Sequence, residues 1–231
     1  MSGLGTLVNS GAILIGSLIG LFFKRGLPEK WQQTMMSSIA LCIVIIGVQM
    51  AMKTGNIIVV IISLVIGSII GEVIDIEERM NKLGVFLGKK LSQGSSSVAG
   101  QIAEGFVNSS ILFCTGAMAI VGSIQDGLAG DYSTLFAKAT LDGIIALILT
   151  ANVGIGVMLS ALSVGIYQGS ITLLAGVVEP YITELILQEI TASGGIMIMA
   201  IGLNMLHITK IRIGNMLPGM LIAAVLAGNF M

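Results

Sequence analysis

Residues 116–143 read GAMAIVGSIQDGLAGDYSTLFAKATLDG, and the fold turns on this stretch. Long apolar runs lie on both sides of it. Here the apolar text is interrupted by GSIQDG, then resumes with Lys138 and Asp142 inside it. Gly122 and Gly127 bracket Gln125 and Asp126, and glycine flexibility predicts that a helix stops and restarts there. Lys138 and Asp142 are four residues apart, so on a helix they share a face and pair. Ionisable groups inside a membrane segment are costly and face a bundle interior or an aqueous path. A solute or ion site near the break is one reading. A plain membrane turn followed by a structural ion pair is the other.

Composition sets the class. The chain has 231 residues, 55% hydrophobic and 10% charged, with a mean hydropathy of +1.01. Soluble domains carry about 25% charged residues, so a soluble core of this size is excluded and a polytopic membrane protein is expected. Apolar runs of roughly 18–22 residues without strand alternation favour helices over a barrel. With 31 glycines and 14 methionines against 3 prolines, close helix packing through small residues is expected, with methionine filling gaps. A formal net charge of -1 gives no reason to expect nucleic acid. Cys42 and Cys114 both lie in apolar runs and read as buried free thiols.

The expected architecture is an all-α transmembrane bundle of about eight spans, at residues 4–23, 34–52, 56–74, 105–123, 134–151, 154–178, 190–206 and 211–229. The first span has Lys24 and Arg25 after it and no positive charge before it, flanks that suit an entering helix rather than a cleaved signal. Trp31 reads as an interfacial anchor. Residues 75–100 form the one long polar stretch. Its first part, DIEERMNKLGVFLGKK, is patterned as an amphipathic helix on the membrane surface, and residues 92–100 read as a flexible Ser/Gly linker.

Charge supports eight spans with the N-terminus outside. Lys24, Arg25, Lys30, Arg79, Lys82, Lys89, Lys90, Lys210 and Arg212 then fall inside. Lys53 falls outside with Asp126, Asp131, Glu179, Glu184 and Glu189, the asymmetry of the positive-inside rule. Merging the fifth and sixth spans would strand Lys210 and Arg212 outside.

The two ends of the chain resemble each other. Asn9-Ser10-Gly11 matches Tyr167-Gln168-Gly169, and Pro28 matches Pro180. Gly47-Val48-Gln49-Met50 matches Gly202-Leu203-Asn204-Met205, and Gly55-Asn56 matches Gly214-Asn215. Spans one to three thus pair with six to eight. An odd offset makes this an inverted repeat, an architecture of many secondary transporters. The expected organisation is one membrane domain: a first repeat at 1–75, a cytoplasmic linker at 76–100, a central pair of spans at 101–152 and a second repeat at 153–231. The repeat relates Asn9 to Gln168, Gln49 to Asn204 and Asn56 to Asn215, with Asn108 echoing Asn9. Amide oxygens bind cations or hydrogen-bond polar solutes, and membrane amides also simply bridge helices.

Small residues four apart recur at Gly16/Gly20, Gly67/Gly71 and Gly165/Gly169. They suit packing within the chain, the use we expect, or a homo-oligomer. Pro218 should kink the last span or free a carbonyl. His207, the sole histidine, sits beside Lys210 and Arg212 and does not read as a metal ligand. Glu72, Asp75 and Glu104 read as solvated interfacial carboxylates, or a vestibule for cations. No metal cluster, phosphate loop or nucleophile relay is written in the chain, so neither a cofactor nor an enzyme is expected.

GFVNSSILFCTGAMAIVGSIQDGL, then Lys138-Ala-Thr-Leu-Asp142-Gly143, Tyr167-Gln168-Gly169, GNMLPG at 214–219 and GTLVN at 5–9 resemble the bacterial and archaeal membrane family called domain of unknown function 554, of the YdfK/YqgA type. The resemblance covers nearly the whole chain. It implies a multi-pass plasma-membrane protein, and it carries a sodium channel or pump label that these residues do not themselves show. The functional expectation is a transporter or channel for a small ion or polar solute. Asp142 with Lys138 would sense charge, Gln125 and Asp126 would line the outer entrance, and Asn9, Gln168, Asn204, Asn215, Asn108 and Gln49 would supply polar ligands. The alternative is a non-transporting scaffold or envelope-signalling component acting through the amphipathic stretch.

Overall fold

The computed structural model describes residues 3–24, 29–91 and 96–229, and among these every regular element is a helix. Arg25 and Pro28, and residues 92–95 of the expected linker, lie outside the described residues. In chain order the helices are α1 (Leu4–Lys24), α2 (Glu29–Ala51), α3 (Ile57–Ile74), α4 (Ile76–Leu91), α5 (Ser96–Cys114), α6 (Ala117–Ala129), α7 (Ser133–Val153), α8 (Gly156–Leu173), α9 (Ala175–Val178), α10 (Glu184–Met205) and α11 (Pro218–Asn229).

Six of them, α1, α2, α3, α7, α8 and α10, are long and apolar enough to cross a membrane. Where the fourth span was expected, α5 and α6 form one apolar pair bent by 63°. Where the eighth was expected, a short 3-10 turn at Ile213–Met216 leads into α11, with Pro218 as its first residue, a position where the missing N–H costs nothing. Side chains pointing away from the protein are largely apolar: Leu173 is 86% exposed, Val73 82% and Phe22 80%. Such a surface suits hydrocarbon, which competes for no hydrogen bonds.

Two expectations about breaks change. GSIQDG is continuous helix within α6. Its glycines serve close packing: a methyl on Gly127 would fall 2.3 Å from Thr172 O, and one on Gly122 2.9 Å from the Leu135 side chain. The interruption lies upstream, between Cys114 and Ala117, where Gly116 adopts φ 117°, a conformation open to glycine and strained for other residues. Residues 96–100, expected as linker, instead form the first turn of α5. The separation of the fifth and sixth spans holds: α7 ends at Val153 and Gly154 turns the chain with φ 106°.

The chain falls into two compact units, residues 1–36, 80–114 and 118–179 in one and 37–79, 115–117 and 180–231 in the other. In the first unit α1 runs parallel to α7, with Gly5 against Leu135, Gly16 against Gly143 and Gly20 against Leu147. A methyl on Gly16 would lie 2.1 Å from Gly143 O, so these backbones touch. α1 runs antiparallel to α8, with Thr6 facing Thr172 and Asn9 facing Gln168. α5 runs parallel to α8, with Ile102 beside Gly156 and Ser110 bonded to Ser163.

In the second unit α10 runs parallel to α3, with Glu189 at Gly55 and Ser193 at Ser63. It runs antiparallel to α2, with Gly195 on Ala51 and Gly202 on Ala40. α11 runs antiparallel to α3, with Gly219 on Gly67 and Asn215 on Gly71. Within each unit, odd-numbered expected spans are parallel to one another and antiparallel to even ones. The small-residue pairs Gly16/Gly20 and Gly67/Gly71 are spent on packing inside the chain. The cysteines are free, but neither is fully buried as expected: Cys42 is exposed on α2 and Cys114 half-buried.

Candidate functional site: a buried ion pair held by two amides

Helical spacing puts Lys138 and Asp142 on the face of α7 that meets α1. Lys138 Nζ donates to both Asp142 oxygens, at 2.7 Å to Oδ2 and 3.0 Å to Oδ1. Both side chains are buried. A lone charge here would carry a large desolvation cost, and pairing with good geometry offsets it. Asn9 of α1 adds a third bond, its Nδ2 donating to Asp142 Oδ2 at 3.0 Å. The same nitrogen donates to Gln168 Oε1 of α8 at 3.2 Å. One polar chain thus links three helices: Lys138, Asp142, Asn9, Gln168. Asn9 and Gln168 are fully buried.

The network fixes which way the amides point. Turning Asn9 over would set its oxygen against a carboxylate and a carbonyl, and turning Gln168 over would oppose two NH2 groups. In the resulting orientation Asn9 Oδ1 and Gln168 Nε2 are buried with no protein partner. Ser10 Oγ, one residue along α1, is likewise unpartnered, and it lies where a methyl on Gly165 would come within 3.3 Å of it. Cys114, the last residue of α5, lies within electrostatic range of Lys138 and Asp142.

The other expected site residues lie elsewhere. Asp126 does not line an open entrance. It is fully buried, and its carboxylate accepts from Gly3 N at 3.1 Å and Gly5 N at 3.0 Å. It therefore caps the start of α1, whose first N–H groups have no helical partners. Gln125 is half-buried and accepts from Thr134 Oγ1 at 2.7 Å. Asn108 is half-buried on α5.

In the second unit Asn204 pins the turn after α10. Its Oδ1 accepts from Thr209 Oγ1 and Ile211 N, and its Nδ2 donates to Ile211 O. Gln49 is exposed, and the antiparallel packing of α2 on α10 sends it to the opposite end of the contact from Asn204. Asn215 is buried in the 3-10 turn, where its Oδ1 accepts from Glu77 N at 2.8 Å and its Nδ2 is unpartnered. Asn56 caps α3 by accepting from Ile58 N. It lies 15 residues from Gly71, the neighbour of Asn215, which is roughly 22 Å of helix. Of the three amide pairs related by the sequence repeat, the structure brings together Asn9 and Gln168.

Sequence reading placed Glu189 in an outside loop, yet it is buried in α10. Its carboxylate accepts from Thr54 Oγ1 (2.7 Å), Gly55 N (2.8 Å) and Asn56 N (3.0 Å), closing the start of α3 as Asp126 closes that of α1. A carboxylate flanked by Gln188 and Ile190 in an otherwise apolar helix was the available signal. Below α3, Glu77 and the 3-10 turn cap each other reciprocally, with Gly214 N donating to Glu77 Oε2 at 2.9 Å. Burial pushes the Glu77 carboxyl above its ordinary value, against the Gly214 hydrogen bond and the Arg212 charge. Arg212 pairs with Glu72 and Asp75, so two of the three expected vestibule carboxylates are engaged, while Glu104 is exposed on α5. Among the described residues no group of His, Cys, Asp and Glu is arranged to hold a metal.

The chain is similar in sequence to known proteins. The chain is 36% identical over 225 residues to the uncharacterised membrane protein YdfK of Bacillus subtilis, covering 96% of this chain and 94% of that one. It is 28% identical over 222 residues to the uncharacterised protein YqgA of Escherichia coli, covering 95% and 94%. No solved structure matches it. The family model described as protein of unknown function (DUF554) matches residues 4–228, and the chain belongs to that family of membrane proteins.

Proposed function

We propose that the protein is a transporter or channel for a small ion or polar solute, with its site at Lys138, Asp142, Asn9 and Gln168. One observation carries the reading: a charged pair lies buried among apolar helices while its amide neighbours hold an acceptor and a donor in reserve. A purely structural ion pair gains nothing from unspent buried amide atoms, each of which costs free energy.

Two features support an inverted repeat as the frame for this site. The first is a matched pair of packing glycines. Gly47 packs on Gly195 and Met199, while Gly202 packs on Ala40 and Val44. Any antiparallel pair exchanges its contacts under a constant shift; what favours the repeat is that the shift of 155 places a glycine, Gly47 and Gly202, at both ends of the contact between spans two and seven. The second is interruption, at Gly116 and before Pro218, of helices that would otherwise span. Broken helices and inverted repeats together favour a carrier. In this reading the protein sits in the plasma membrane with its N-terminus outside.

The test is sodium uptake into sealed proteoliposomes under an imposed gradient, comparing the parent with Asp142→Asn. Asparagine keeps an acceptor but leaves the Lys138 charge buried without its partner, so folding and insertion of the variant are verified first, and the neutral double variant Lys138→Met, Asp142→Asn is compared beside it. Uptake above empty liposomes that the substitution abolishes supports an ion path through the pair. A folded, inserted parent that takes up neither sodium nor a polar solute sinks the transport reading. The scaffold reading would then stand, resting on α4, where Leu83 and Phe86 are exposed among charged neighbours.

A further inference from the structure

We infer that the site takes a small uncharged solute carrying a hydrogen-bond donor beside an acceptor, the primary-amide class, and not a bare monovalent cation. This rests on the transport reading above and narrows it by asking which atoms remain free.

A dehydrated cation needs several oxygens at once. Both Asp142 oxygens are engaged by Lys138, and Oδ2 also by Asn9. Gln168 Oε1 is engaged by Asn9. Among these oxygens Asn9 Oδ1 and Ser10 Oγ are wholly unpartnered, and Asp142 Oδ1 and Gln168 Oε1 each keep a second lone pair, so charge rather than oxygen count decides against a cation. The ammonium of Lys138 already occupies the cation position, so the cluster is neutral overall and gives an incoming charge no counter-ion. An anion fares no better, since the Lys138 charge is spent on Asp142.

The reserve atoms are of complementary kinds. Asn9 Oδ1 accepts, Gln168 Nε2 donates and Ser10 Oγ does either. The two amides share a single N–H···O bond, so one end of each is unused. A solute with its own carbonyl and NH2 answers both: its carbonyl accepts from Gln168 Nε2 and its NH2 donates to Asn9 Oδ1. Sites built from buried polar groups discriminate strongly against molecules that leave those groups unpaired.

The experiment is stopped-flow light scattering of sealed proteoliposomes under an inward acetamide gradient, with sodium uptake followed on the same preparation. Acetamide permeability should exceed that of empty liposomes, without sodium uptake. Gln168→Glu is nearly isosteric and replaces the NH2 by a carboxyl oxygen, which lacks a donor when ionised; flux is therefore compared at high and low pH. Ionised, the variant should lower acetamide flux on the order of tenfold, the scale expected for an unmatched buried group. Should that variant misfold, Gln168→Met serves in its place, and the parent's acetamide-to-sodium comparison needs no variant. Sodium uptake without acetamide flux overturns this inference and leaves the transport reading standing. Acetamide flux indifferent to both Gln168 variants also overturns it, because the path then lies elsewhere. Absence of both fluxes overturns both readings.

Discussion

Lys138 and Asp142 neutralise each other where neither would be tolerated alone. Replacing Lys138 by Met leaves a buried carboxylate with Asn9 as its remaining side-chain donor, which should cost about 3–5 kcal/mol. The double variant Lys138→Met, Asp142→Leu should recover most of that loss. A double-mutant cycle on thermal unfolding in detergent, with Asp142→Leu as the second single variant, checks it; a double-variant loss equal to the sum of the two single losses would mean that the pair is not coupled. Glu77 makes a different prediction. Burial raises its carboxyl above the ordinary value of 4.5, so the folded chain holds that proton more tightly than the unfolded chain. This component of stability is fully present below the unfolded value and is lost as pH rises through the raised folded one. Glu77→Gln should therefore flatten the decline in Tm as pH rises above the ordinary carboxyl value of 4.5, and an unchanged profile would refute the assignment. The Lys/Asp pair was legible in the sequence because both members sit one helical turn apart. The roles of Asp126 and Glu189 were not, since their donors lie 121–135 residues away.

Helices in this protein meet backbone to backbone, and two glycines of α1 separate the consequences. A methyl at Gly16 would fall 2.1 Å from Gly143 O, whereas one at Gly11 has no neighbour within 4 Å. Gly16→Ala should cost about 1–3 kcal/mol by forcing α1 off α7. Gly11→Ala should be neutral or stabilise by up to about 1 kcal/mol through helix propensity. Thermal unfolding of the two in detergent decides, and equal effects would contradict the α1–α7 contact. The same physics misled the reading of GSIQDG. Glycines flanking polar residues look like a hinge, yet Gly127 is small because Thr172 and Ala175 press against it. The actual hinge, Thr115-Gly116, has no polar cluster to announce it. Sequence shows that a glycine is present; whether it bends the chain or admits a neighbour depends on what lies across from it.

Within each unit the helix directions agree with the alternation read from the loop charges, most basic residues falling to one side and the acidic loops at 126–131 and 179–189 to the other. The separation of α7 from α8, resting on Asn152-Val153-Gly154 alone, followed from that alternation and from no local signal. Grouping into two units was not legible, since each is assembled from three separate segments. The same charges carry the proposal that the N-terminus lies outside, and it is testable. With Cys42 and Cys114 replaced by serine, a cysteine at Lys53 should react with a membrane-impermeant maleimide on intact cells. One at Lys210 should react only after permeabilisation. Both positions are exposed, so the reverse pattern would invert the topology.

The carboxylate that closes the start of α3 has a consequence in time. Glu189 is made 133 residues after Asn56, an interval of about 7–27 seconds at roughly 5–20 residues per second of synthesis. Throughout it, the turn between α2 and α3 has been translated without the group that completes it. The start of α1 waits in the same way for Asp126. A nascent chain stalled between those two positions would have its first helix sealed and its third still open, so each early helix is closed by a residue made long after it.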